Sequence, residues 1–87
     1  MTNNEIEYIE SAQSYSSHDI GLTAALLSSG YEMLAMDKTD RARARFVLRR
    51  TPGIDSSIND YWGGKLSVDA RTFFDTLKML KNRLYSE

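Results

Sequence analysis

Residues 41–49, Arg-Ala-Arg-Ala-Arg-Phe-Val-Leu-Arg, sort by residue type with a period of two. Ala42, Ala44, Phe46 and Leu48 fall on one side, and Arg41, Arg43, Arg45, Val47 and Arg49 on the other. Successive side chains of a strand leave opposite faces, so this stretch predicts a strand with one buried apolar face and one wet, cationic face. Alanine and arginine also favour helix. A helix, however, would scatter Phe46, Leu48 and the alanines around its circumference, and Thr51-Pro52-Gly53 stops the run early. The strand is the preferred reading, and it projects a row of guanidinium groups in one direction.

The neighbouring segments supply what such a strand needs to bury its apolar side. Ser16 followed by Asp19 resembles a capping box, with Tyr15 placed to staple against Ile20, and predicts a helix from about Ser17 to Ser29 closed by Gly30. Tyr31 to Met36 reads as a strand of imperfect alternation, and Asp37-Lys38-Thr39-Asp40 is a link of hairpin length into the arginine strand. After Pro52-Gly53, Asp55 or Ser56 is the expected cap of a short helix reaching Tyr61 or Trp62, ended by Gly63-Gly64. Leu66-Ser67-Val68 is a candidate third, very short strand. Asp69 caps a last helix from Ala70 to about Tyr85, whose Ala70, Phe73, Leu77, Leu80 and Leu84 form an apolar stripe flanked by Phe74. The expected fold class is α+β: a small two-layer domain in which an antiparallel hairpin, with a third short strand, packs against helices in the order α-β-β-α-(β)-α.

Eighty-seven residues make one domain. Residues 1–13 read as a flexible or loosely docked acidic start, and residues 14–87 as the compact unit. No cysteine is present, which removes disulfides, thiolate metal sites and cysteine nucleophiles. No basic segment followed by an apolar run opens the chain, and no stretch approaches the ~20 apolar residues that span a bilayer. A soluble, cytoplasmic protein without a membrane partner is expected. The formal charge of −1 is unevenly spread: residues 1–40 carry a net −6 and residues 41–87 a net +5. Such a split marks either an anionic ligand for the basic half or a fold that neutralises itself.

Arg41, Arg43, Arg45 and Arg49 are the candidate contacts for phosphate or carboxylate, because guanidinium forks match both geometries. The plainer reading is a solvated sheet face pairing locally with Glu32, Asp37 or Asp40. No aromatic interleaves these arginines, which counts against stacking on single-stranded bases. Tyr61 and Trp62 are either a partner-binding anchor or the closure of one end of the core. His18 sits beside Asp19 and near Ser16 and Ser17, but adjacency at a helix cap is not triad geometry. The glycines lack the spacing of a phosphate-binding loop, and the acids offer neither a catalytic pair nor an oxygen-rich cation cage. No enzyme activity, cofactor or metal is expected.

Three patterns stand out: Leu26-Leu27-Ser28-Ser29-Gly30-Tyr31-Glu32; Phe46-Val47-Leu48 followed by Thr51-Pro52; and Tyr61-Trp62-Gly63-Gly64-Lys65-Leu66-Ser67-Val68-Asp69-Ala70-Arg71 leading into Phe73-Phe74. Together they resemble a family of small bacterial and phage-associated domains known as domain of unknown function 5659. Arg50 departs from the acidic residue that often precedes the Thr-Pro pair in that family. The resemblance implies a compact α/β domain with no catalytic or binding residue to transfer, and a mobile-element setting in which nucleic-acid association is a fair alternative. The leading functional expectation is a non-enzymatic protein-interaction module, self-associating or meeting another protein; the alternative is an accessory domain that contacts nucleic-acid phosphates through the arginine strand.

Overall fold

A computed structural model describes residues 13–40 and 42–86. The arginine strand is there, but it is shorter than expected. It runs as β3, Arg45–Arg49, in the middle of a three-stranded antiparallel sheet of order β1-β3-β2. Ala42 and Arg43 belong to a turn instead: the Asp40 carboxylate accepts from the Ala42 N–H at 3.0 Å and the Asp40 carbonyl from the Arg43 N–H at 3.0 Å. Those local bonds hold backbone donors that a longer ladder would have used. Within β3 the alternation holds. Phe46 and Leu48 enter the core, while Arg45, Val47 and Arg49 leave the other side, where Val47 is also buried.

The strand on one side of β3 is β1, Ser14–Ser17, paired from Ser14 opposite Arg49 to Ser17 opposite Phe46. This corrects the capping-box reading. The cap of helix α1 (Ile20–Ser28) is Asp19, whose Oδ1 accepts from the Leu22 N–H at 2.8 Å. Moving the cap from Ser16 to Asp19 frees four residues to pair as a strand, and it removes the expected Tyr15–Ile20 staple register. Leu22, Thr23, Ala24, Ala25 and Leu26 are all buried, so α1 is covered on most of its circumference. It ends at Gly30 (φ 105°), as expected. The Gly30 N–H reaches the Leu27 carbonyl and the Tyr31 N–H the Leu26 carbonyl, the paired bonds of a left-handed helix stop.

On the other side of β3 lies β2, Met33–Asp37. A bulge between Met33 and Ala35 explains its imperfect alternation. One extra residue lets Met33 and Met36 both face the core, opposite Leu48 and Phe46, and leaves Leu34 41% exposed.

Helix α2, Ile54–Trp62, starts from Gly53 in a left-handed conformation (φ 95°) without a side-chain cap. Neither Asp55 nor Ser56 caps it; Asp55 pairs with Arg50 instead. Residues 66–68 form no strand, and the third member of the sheet is β1. Helix α3, Ala70–Tyr85, has the expected bounds and the expected cap: Asp69 Oδ2 accepts from the Thr72 N–H at 2.9 Å and its hydroxyl at 2.8 Å. Leu80 is buried, and Phe73, Leu77 and Leu84 pack against the same core as Leu22, Leu26, Phe46, Leu48 and Ile54. The result is a small α+β domain in which three helices lie against one face of a three-stranded sheet. Its element order, β-α-β-β-α-α among the described residues, differs from the expected one. Of residues 1–13, read from sequence as a flexible or loosely docked start, 1–12 lie outside the described residues, as do Arg41 and Glu87.

Candidate functional site

The four arginines singled out in the sequence do not stand as a row. Arg41 lies outside the described residues, Arg43 sits in the turn before β3, and only Arg45 and Arg49 share a strand face. Both are engaged by acids from β2 and its approach. Arg45 Nη2 donates to Asp37 Oδ2 at 3.1 Å, across the antiparallel pair in which these residues sit opposite one another. Arg49 Nε donates to Glu32 Oε1 at 2.9 Å. Arg50 continues the pattern from the loop: its Nη1 reaches both Asp55 oxygens at 2.9 and 3.0 Å, and its guanidinium lies 5.9 Å from the Tyr15 ring centre. Such exposed or half-exposed pairs stabilise little individually. Their consequence is for binding, because a phosphate would have to displace a carboxylate from each fork it used.

Asp37 is the most strongly held of these acids. Hydrogen bonds from the Thr39 side chain and backbone N–H, and then from Arg45, keep its carboxyl down at about 2 against an ordinary 3.8. Local turn chemistry therefore does more than the ion pair to fix the charge opposite Arg45.

Tyr61 and Trp62, at the end of α2, divide between the two roles that the sequence left open. Tyr61 packs against the core, with its hydroxyl beside Gly21 and Asp19 at the start of α1. Burial first, and the nearby Asp19 charge second, push the hydroxyl's pKa up. Trp62 points away from the core and is 62% exposed. Its ring meets Tyr61 edge to face, with centroids 4.9 Å apart at 81°. Core closure by Trp62 is thus corrected: Tyr61 takes that place, and Trp62 is an exposed ring braced on it.

His18 Nδ1 donates to the Ala44 carbonyl at 3.0 Å, which ties the start of α1 to the turn before β3. Ser17 Oγ accepts from the Asp19 N–H, and Asp19 Oδ1 caps Leu22, so the neighbouring hydroxyl and acid serve the backbone. A cleft of about 740 Å³ opens beside His18, with Ile20, Phe46 and Leu84 contributing apolar wall and Lys38 and Arg43 cationic groups. The Lys38 ammonium is already committed, donating to the Arg83 and Ser86 carbonyls at 2.9 and 2.8 Å and closing the C-terminal end of α3. No group of three or more histidines and acids able to hold a metal ion occurs among the described residues. None of the described helices is long and apolar enough to cross a membrane.

A further surface was not singled out from sequence. Phe74, expected to flank the core stripe of α3, is 59% exposed, and Tyr85 is 80% exposed. Lys78 Nζ lies 5.8 Å from the Phe74 ring centre. The signal for this surface was present as a second set of three- and four-residue spacings along the same helix.

A family model for a domain of unknown function, DUF5659, matches residues 12–86. No curated protein and no solved structure matches the chain.

Proposed function

The chain belongs to the DUF5659 family, and from that premise we propose that it is a non-enzymatic interaction module that meets another protein chain through Trp62, a second copy of itself being the first partner to test. The observation that carries this reading is the posture of Trp62: a large ring, 62% exposed, meeting the half-buried Tyr61 edge to face. Tryptophans are enriched among the residues that dominate interface energetics. The nucleic-acid reading is weaker, because Arg45, Arg49 and Arg50 all donate to carboxylates of the same chain. A chain that neutralises its own arginines offers a duplex little net attraction.

Trp62 is the sole tryptophan, so its emission reports this surface alone. Light scattering and fluorescence over a concentration series should show the mass rising toward two chains while the emission shifts to the blue. Trp62→Ala should remain monomeric. A mass of one chain throughout, with Trp62 emission unchanged, refutes self-association at this surface. A duplex titration at low salt completes the comparison: salt-sensitive binding that Arg43→Ala and Arg45→Ala remove would favour the nucleic-acid reading instead.

A further inference from the structure

Helix α3 carries two stripes. One, Phe73, Leu77, Leu80 and Leu84, is packed into the domain. The other is Arg71, Phe74, Lys78, Lys81 and Tyr85, all exposed. At about 100° per residue these five fall within about 80° of the helix circumference, and at about 1.5 Å per residue they extend about 21 Å along it. The core uses neither the Phe74 nor the Tyr85 ring in full, and a solvated helix face needs no aromatic at either place.

We propose that this stripe is a docking face for an acidic, amphipathic helical segment of a different protein. The inference rests on the reading of the domain as an interaction module but concerns a face other than Trp62. Charge complementarity selects the occupant. Arg71, Lys78 and Lys81 against Asp75, which Arg71 holds at 3.4 Å, leave a net charge of +2. Glutamates flanking an apolar ridge would meet the two lysines, while the ridge lies along Phe74 and Tyr85. A second copy of this helix is disfavoured because it would set lysines against lysines. Single-stranded nucleic acid is disfavoured because a helix face offers no groove to track its backbone.

The test uses the full ¹⁵N-labelled chain and a fluorescein-labelled peptide about 18 residues long, with leucines at i, i+3, i+4 and i+7 and glutamates on both flanks. A peptide with lysine in place of glutamate and an oligothymidylate of about 15 nucleotides are the comparison probes. The acidic peptide should bind in the micromolar range at low salt, weaken as salt rises, and perturb amides between Arg71 and Tyr85. Lys78→Glu with Lys81→Glu should weaken it about tenfold or more, and Phe74→Ala with Tyr85→Ala comparably, about 1.4 kcal/mol per tenfold. Trp62→Ala should leave it unchanged, which separates this face from the Trp62 surface. Absence of binding, equal binding of the lysine peptide, tighter binding of the oligonucleotide, indifference to the lysine reversals, or amide changes confined to other elements would each overturn the proposal.

Discussion

Gly21 and Tyr61 should be energetically coupled, and the size of the coupling follows from their geometry. A Cβ on Gly21 would lie 2.8 Å from Tyr61 Oη and 3.3 Å from Asp19 Oδ1. Alanine in place of glycine inside a helix stabilises by about 1 kcal/mol in the absence of a clash. Here the tyrosine tip must move, and its ring is packed against the core, so overpacking should cost about 1–2 kcal/mol, the lower part of the usual range. Gly21→Ala alone should therefore be neutral to destabilising by about 1 kcal/mol. In a Tyr61→Phe background the obstructing hydroxyl is gone, and the same substitution should stabilise by up to about 1 kcal/mol. Urea unfolding of the four chains gives the cycle, with an expected coupling of about 1–2 kcal/mol. If Gly21→Ala stabilises the parent chain as much as the Tyr61→Phe chain, the hydroxyl does not occupy the space above Gly21 and the account of how Tyr61 packs on the start of α1 fails.

Three further substitutions probe the core, the last helix and the sheet. Leu80→Ala should cost about 2–5 kcal/mol, while Phe74→Ala should fall within about 0.5 kcal/mol of the parent, both read by denaturant midpoint. Asp69→Ala removes the acceptor for the Thr72 N–H and should lower stability, with helicity lost first near Ala70 in amide exchange. Because the folded-state pKa of Asp37 is depressed to about 2, its stabilisation is present above the unfolded value near 4 and is lost as pH falls through about 2. Carboxyl chemical shifts should place its midpoint there, and Thr39→Ala should raise it toward 3.8.

Elements whose boundaries are written by local side chains were legible. The Asp69 cap and the stripe through Leu80 located α3 at both ends, and Gly30 marked the stop of α1 because its backbone takes a conformation that suits glycine. Strand Ser14–Ser17 was not legible, since it has no apolar alternation and its serines are better known as caps; it exists because β3, more than 25 residues away, offers an unpaired edge. At the front of β3, Asp40 holds Arg43, which pattern alone assigned to the sheet, in a turn. Phe73 and Phe74 are the same residue type one position apart, and the direction of the core settles which one packs against it.

The placement of charge decides where binding is to be sought. Glu32 and Asp37 come from the acidic half of the chain and are brought by the β2–β3 pairing directly onto Arg49 and Arg45. The charge split along the sequence is thus partly consumed in closing the sheet. The cations of the last helix are used differently: Arg71 meets Asp75 within its own helix, and Lys78 lies over an exposed phenylalanine. An arginine facing a carboxylate at hydrogen-bond distance gives up an interaction when it takes another anion, whereas a lysine over an open ring keeps its charge available at modest desolvation cost. The same logic applies to the aromatics, with Tyr61 spent on the core and Trp62, Phe74 and Tyr85 left in solvent. Replacement of Arg45 or Arg49 should accordingly be felt in sheet stability before binding, and replacement of Lys78 or Trp62 in binding before stability.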